Sequence, residues 1–302
     1  MNIGYDKQLY ILPFDHRATF VKTLFGFPEK PNAEQAARVA ASKDVVYEGF
    51  KAALGMGLKK DGSGILVDEQ YGSAILNHAA ANGYCTSLCV EKSGQEEFDF
   101  EYGEDFPKHI EMFNPTFAKV LVRYNPDKDR VGNQRQAGRL KRLSDYLLPK
   151  PYKFMFELLV PPVKKPESPA EQEKFDRDVR PGLMIRAIHE LQDAGIEADV
   201  WKIEGVDTRE DCQKIVAATR RGGRDKVGSI VLGRGAGNDK VKEWLQIAAS
   251  VPGYIGFAIG RTSFWDCLTA WRDNKMTVPD AAKKIAENYM SWVNAFESAR
   301  KN

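Results

Sequence analysis

The sequence predicts one domain over residues 1–302, a (β/α)8 TIM barrel with a closed parallel sheet. Short apolar runs alternate with stretches of helical periodicity, no linker rich in Pro, Gly or Ser divides them, and eight such runs occur between residues 8 and 259. Strand alternating with helix argues for a parallel sheet, and eight units over this length favour closure over an open doubly wound sheet. No GxGxxG follows the first strand, which weighs against a dinucleotide-binding fold.

In chain order, the strands are expected at Gln8–Phe14, Gly64–Val67, Tyr84–Val90, Ala118–Tyr124, Lys153–Val160, Ala198–Ile203, Gly228–Leu232 and Tyr254–Ile259. Each is a short apolar run, as strands buried on both faces should be. Between them, Leu140, Leu143 and Leu147 recur at spacings of three and four and predict a helix over Gln134–Leu148. Leu183–Ala194 reads as another, closed by Gly195. The C-terminal helix is expected over Ala281–Ala299, with Tyr289, Trp292 and Phe296 on one face, packed on its own barrel or presented to a partner copy in a homo-oligomer. Two long connections, Glu91–Pro115 and Pro161–Pro181, leave the strand ends where barrels carry chemistry and are candidate lids. The first holds eight carboxylates against two lysines in 21 residues, interleaved with Phe98, Phe100, Tyr102 and Phe106, and reads more simply as a solvated excursion with aromatic anchors.

Composition excludes several function classes. The 25 Gly and 15 Pro fall well below the share that marks low-complexity disorder, and 43% hydrophobic residues suffice for a large core. With 44 basic and 42 acidic residues the net charge is +2 with no long block of one sign, so neither nucleic acid nor a membrane is expected as partner. No run of 18 apolar residues occurs, and Asp6 and Lys7 before a short apolar strand lack the order of a signal peptide, which predicts a cytoplasmic protein. Cys85, Cys89, Cys212 and Cys267 read as buried thiols, since Cys85 and Cys89 lack CxxC spacing. His16, His78, His109 and His189 are scattered without metal-ligand spacing, so no cofactor or metal is expected. Arg220-Arg221-Gly222-Gly223-Arg224 reads as a helix end rather than an RNA-binding tract.

Ionisable residues at strand ends need a reason, because barrel interiors are filled by branched apolar side chains. They are Asp15, His16 and Arg17 after the first strand, Asp68 and Glu69 after the second, and Lys119 and Arg123 on the fourth. Glu157 lies on the fifth, Lys202 and Glu204 on the sixth, Arg234 after the seventh and Arg261 after the eighth. Lys202 sits inside an apolar strand, where snorkelling to water is difficult. At an ordinary lysine pKa of ~10.4, only about four in ten thousand are neutral at pH 7, so nucleophilic use needs desolvation or a nearby cation. Lys119 is the candidate cation, and Glu157 the candidate proton carrier. An ion pair between Lys202 and Glu157 or Glu204 is the plainer alternative. Gly233-Arg234-Gly235 and Gly260-Arg261 follow strands seven and eight, where barrels commonly bind phosphate.

These segments, among them Pro13-Phe14-Asp15-His16-Arg17, Val67-Asp68-Glu69-Gln70-Tyr71-Gly72, Lys119-Val120-Leu121-Val122-Arg123-Tyr124, Phe156-Glu157-Leu158-Leu159-Val160-Pro161-Pro162, Val200-Trp201-Lys202-Ile203-Glu204-Gly205 and Ile259-Gly260-Arg261-Thr262, resemble the aldolase-like domain of bacterial 5-dehydro-2-deoxygluconokinase, from myo-inositol catabolism. That domain in turn looks like a distant relative of class I tagatose-1,6-bisphosphate aldolase. The resemblance covers nearly the whole chain and implies a Schiff-base lysine at Lys202, acid/base partners at Glu157 and Lys119, and a hydroxyl or proton-transfer role for Asp15. It puts phosphate at Arg261 and the Gly233–Gly235 turn. His16, where those aldolases typically have glutamine, and Arg234 depart from their pattern. His16, Arg17, Arg123, Glu204, Gly233, Arg234, Gly235, Gly260 and Arg261 are the expected substrate-binding set. The implied activity is carbon–carbon cleavage of a phosphorylated keto-sugar acid or ketose, with 2-deoxy-5-keto-gluconate 6-phosphate the best candidate. A phosphosugar isomerase or epimerase, a non-catalytic phosphosugar sensor and a metal-dependent aldolase are the alternatives.

Overall fold

The structure, a computed structural model, describes residues 3–301. Eight strands, β1 (Leu9–Pro13), β2 (Ser63–Val67), β3 (Cys85–Cys89), β4 (Phe117–Arg123), β5 (Lys153–Leu159), β6 (Val200–Glu204), β7 (Gly228–Leu232) and β8 (Tyr254–Ala258), close into a barrel in sequence order. Every pairing is parallel, including β1 with β8. The strands therefore lie within two residues of their expected bounds. Ten α-helices among the described residues accompany them: α1 (Ala33–Gly55), α2 (Glu69–Ala81), α3 (Phe106–Phe113), α4 (Arg130–Leu147), α5 (Pro169–Lys174), α6 (Arg180–Asp193), α7 (Arg209–Thr219), α8 (Asn238–Ala249), α9 (Arg261–Arg272) and α10 (Val278–Arg300).

Period-two alternation sorts the strand residues into two cores. Leu9, Ile11, Leu66, Phe117, Met155, Val200 and Ile230 fill the barrel, while Tyr10, Leu12, Ile65, Val67, Val120, Val122, Phe156 and Trp201 pack outward under the helices. Above the inner apolar layer, the next inward positions on β4, β5 and β6 are Lys119, Glu157 and Lys202. The sheet register sets Glu157 beside Lys202. Outside the sheet, the rings of Phe156 and Trp201 pack at a tilt, 4.7 Å apart, and both are fully buried, so truncating either to Ala would cost about 3–5 kcal/mol.

α10 packs on its own barrel. Its start is fixed by Thr277, whose side chain accepts from the Asp280 amide. Tyr289 donates to the Tyr10 carbonyl at 2.9 Å, Trp292 donates to the Ser263 hydroxyl at 3.1 Å, and Phe296 meets Tyr10 and Phe257 over the β1–β8 seam. The 91–115 connection is a docked excursion with buried aromatic anchors. Phe98, Phe100 and Phe106 are buried, and Phe100 stacks on Phe106 at 4.2 Å. Its surplus carboxylates have a structural purpose: Glu97 pairs with Arg135 and Arg139, and Glu104 with Arg142, along one face of α4. The 161–181 connection carries α5 and a π-helical turn over Phe175–Val179 that runs into α6.

Candidate active site

The side chain of Lys119 is fully buried and holds three carboxylates: Asp15 at 3.0 Å, Glu91 at 2.7 Å and Glu157 at 2.8 Å. Glu157 turns its other oxygen to Lys202, 2.8 Å away, and so bridges the two lysines. Two lysines on strands β4 and β6 can share one carboxylate because β5 lies between them and all three point inward. The resemblance and the strand positions anticipated Lys119, Glu157 and Lys202 as one group, and the structure brings them together.

Burial alone would raise the carboxyl pKa values here, yet Lys119 and its neighbours reverse that for two of the three. Asp15 is held well below the usual carboxylate range because Lys119, His16 and Lys202 outweigh its desolvation. Glu157 is also lowered, against burial, by Lys119 and Lys202. Glu91 goes the other way: desolvation raises it, with the Asp15 charge adding to the rise and Lys119 only partly offsetting it. Lys119 itself is desolvated, but its three carboxylates carry it well above the ordinary lysine value, so it is a permanent cation. Burial pushes His16 down to about 4, and it is therefore neutral at pH 7 although its Nδ1 lies 3.8 Å from Asp15.

Lys202 and Glu157 form part of the wall of a cavity of about 310 Å³ at the C-terminal end of the strands, together with His16, Arg123, Arg234 and Arg261. Gly233, Gly235 and Gly260 line it as well. A wider groove of about 770 Å³ shares Thr19, Gly235, Arg261 and Thr262 with it and runs out along α9 towards Lys284 and Asn288 on α10. Gly260 is required where it stands, because a Cβ there would collide with the Pro13 carbonyl oxygen. Arg234 adopts φ 49, a left-handed conformation that costs a branched or long residue of order 1 kcal/mol or more. It is held there by Asp176, by Glu204 at 3.7 Å and by the face of Trp244 at 5.6 Å. The helices that follow these turns, α8 and α9, begin at Gly237 and Gly260 without a side-chain cap, as do α3 and α6, whereas α1, α2, α4, α5, α7 and α10 all have one. Uncapped amides beside Arg261 and Arg234 suit an anion.

Two expected substrate-binding residues do not reach the cavity wall. Arg17 is buried behind it and donates to the Glu91 carbonyl at 2.6 Å and to Glu101 at 2.9 Å, which ties the 91–115 excursion to the barrel. Past the end of β1 the alternation that would have aimed it inward no longer applies. Glu204 is buried, accepts from the Val160 amide at 2.9 Å and faces Arg180 at 3.5 Å. Its burial drives its pKa up to about 7, with Arg180 opposing. Both are supports for the wall. Arg123 lines the cavity while donating to the Gln95 carbonyl at 2.8 Å, so it too anchors the excursion. Of the other strand-end carboxylates, Asp68 pairs with buried Lys43 at 2.6 Å and caps α2, and Glu69 meets His109 at 3.5 Å.

Sequence reasoning missed Glu91 and Arg180 as parts of the site. Glu91 continues the inward series Ser87, Cys89, Glu91 one step past β3, and that spacing was the available signal. Asp15, Cys89 and Glu91 each bring a potential ligand atom within 4.8 Å of the others, and the cation bonded to both carboxylates is the Lys119 ammonium. Among the described residues no helix is long and apolar enough to cross a membrane.

Solved structures share this fold. A fructose-bisphosphate aldolase from Plasmodium falciparum, whose structure holds TRAP and a small-molecule inhibitor, aligns with 99% of this chain and 93% of its own at 14% identity and TM-score 0.66. A Schiff base forming fructose-1,6-bisphosphate aldolase aligns with 93% of each chain at 12% identity and TM-score 0.55. A structural-genomics target from Corynebacterium glutamicum aligns with 96% of this chain and 88% of its own at 17% identity and TM-score 0.58. Comparison with curated proteins gives no match. Over residues 4–300 the sequence matches the family described as an uncharacterized protein conserved in bacteria, DUF2090, and the chain belongs to that family.

Proposed function

We propose that the protein is a class I aldolase that cleaves a phosphorylated ketose or keto-sugar acid through a Schiff base on Lys202, with 2-deoxy-5-keto-gluconate 6-phosphate as the best candidate substrate. The observation that carries this reading is the Lys119–Glu157–Lys202 chain, in which a lysine at the cavity wall shares its carboxylate with a second, permanently charged lysine. The fold shared with fructose-bisphosphate aldolases supports it.

In the proposed reaction Lys202 passes a proton to Glu157 and attacks the substrate ketone, and the carbinolamine loses its hydroxyl as water with a proton returned by Glu157. The iminium then acts as electron sink. A carboxylate, Asp15 or Glu157, takes the proton from the substrate hydroxyl, the C–C bond breaks, and its electron pair forms the enamine on Lys202 while the hydroxyl carbon leaves as an aldehyde. That carboxylic acid then protonates the enamine carbon, and water hydrolyses the resulting iminium to free Lys202, so with the candidate substrate the products are dihydroxyacetone phosphate and malonate semialdehyde. Arg261, Arg234 and the uncapped starts of α8 and α9 would hold the phosphate.

Borohydride reduction with dihydroxyacetone phosphate, followed by peptide mass spectrometry, tests this reading. A reduced adduct on Lys202 that is absent from Lys202→Met is the expected result. Bound ligand without an adduct on any lysine would refute Schiff-base chemistry and favour an isomerase or a sensor.

A further inference from the structure

We propose that Glu91 is a positioning residue of this centre, resting as the neutral carboxylic acid against Lys119 and keeping the buried charges of the cluster in balance. Its catalytic meaning rests on the aldolase reading above, whereas its protonation state can be measured without that reading.

Three carboxylates, Asp15, Glu91 and Glu157, meet two lysines, Lys119 and Lys202, in the barrel mouth. Among the described residues the other cation acting on Glu91 is Arg17, whose closest carboxylate contacts lie elsewhere. Arg17 touches the Glu91 main-chain oxygen and directs its charge to Glu101 at 2.9 Å and Glu69 at 3.9 Å. The Cys89 thiol donates to Asp15 at 3.4 Å, and burial keeps it protonated. Full ionisation would therefore leave one uncompensated negative charge in a site shielded from water, the situation buried groups avoid by taking up a proton.

Geometry selects which carboxyl takes it. Glu157 uses both oxygens on lysines, and Asp15 has Lys119, the Cys89 thiol and a partly exposed side chain. Glu91 has one oxygen on Lys119 at 2.7 Å, while Oε2 is buried with no hydrogen-bond partner. A carboxylate oxygen without a donor is costly to bury when charged, so Oε2 is where the proton sits. Desolvation and the Asp15 charge, set against Lys119 and Arg17, act in the same direction.

The consequence for the chemistry follows from the proton balance. In C–C cleavage the iminium loses its positive charge as the enamine forms, and one carboxylate gains the substrate's proton. With Glu91 neutral the centre carries no net charge before or after that step.

The test is carbon NMR of the full-length protein labelled at glutamate carboxyls, titrated from about pH 5 to about pH 9, with the Glu91 resonance assigned by its loss in Glu91→Gln. Glu91→Asp, which also removes that glutamate resonance, assigns it independently if the glutamine variant does not fold. The expected result is a Glu91 carboxyl that is still protonated at about pH 7, where an ordinary glutamate (~4.3) is ionised. A Glu91 carboxyl already ionised at about pH 7 would overturn the proposal. The pH profile of borohydride trapping supplies the second readout: Glu91→Gln should lack one ionisation that the wild type and Glu91→Asp show, and an unchanged profile would overturn the positioning role. If the wild type forms no adduct at any pH, the aldolase reading fails, and the NMR midpoint still decides the state of Glu91.

Discussion

Replacing Lys119 by Met isolates what the buried cluster contributes to stability. The substitution conserves volume approximately and removes the ammonium that touches Asp15, Glu91 and Glu157 together. Breaking a buried ion pair from one side costs about 3–5 kcal/mol, because the partner is left charged and unpaired. Unfolding entropy is about 2.1 cal/mol/K per residue, and for 302 residues that amounts to about 0.6 kcal/mol/K, so the melting temperature should fall by about 5–8 °C. The loss should depend on pH. In the wild type, Asp15 and Glu157 have folded pKa values below their unfolded ones, so their contribution is present above the ordinary carboxylate range and disappears as pH falls through the lowered values. Without Lys119, desolvation dominates and raises their folded values above the unfolded ones, so the variant loses stability as pH rises past about 4. Thermal melts of both proteins at about pH 5 and about pH 8 should therefore show a deficit that is larger at the higher pH. A deficit under about 2 °C, or one equal at both pH values, would refute the reasoning.

Two other substitutions probe the wall. Arg261→Gln should weaken dihydroxyacetone phosphate binding by about 10–100-fold in titration calorimetry, the scale of one lost charge-assisted hydrogen bond, and unchanged affinity would remove Arg261 from the phosphate site. Glu204, raised to about 7 by burial against Arg180, is a carboxyl whose folded pKa exceeds its unfolded value, so it withdraws stability progressively between about pH 4.3 and pH 7. Urea midpoints of the wild type should therefore decline over that interval relative to Glu204→Gln. A constant offset between the two would show that Glu204 does not titrate there.

The barrel was legible because its strands are buried on both faces and so appear as bounded apolar runs, with a few charged residues standing out at their ends. Lys202 and Glu157 announced themselves in this way, and their pairing follows from adjacent strands. Glu91 did not, because it stands just past β3 where a strand boundary and a loop start look alike, so its place in the inward series facing Lys119 was hidden. Arg17 and Glu204 were misread for a related reason. Their partners, Glu101 for the first and Arg180 for the second, come from segments far away in sequence, and a tertiary partner decides whether a side chain faces the cavity or the wall behind it. The same holds for Asp68, whose counter-ion Lys43 belongs to α1.

The distribution of the charged cluster along the chain bears on how the barrel assembles. Its members follow β1, follow β3, and lie on β4, β5 and β6, from Asp15 to Lys202. Glu157 and Lys202 can meet on one strand pair, but Asp15 reaches Lys119 only across a closed sheet. In a half-formed barrel the Asp15 contact is missing and the side chains keep more of their water, so the complete cluster is realised only once the sheet closes. We expect the cluster to act late on the folding route, holding the closed barrel against opening and slowing unfolding far more than it speeds folding. Chevron plots of charge variants should accordingly differ in the unfolding arm, and a change confined to the folding arm would place the cluster in the nucleus instead.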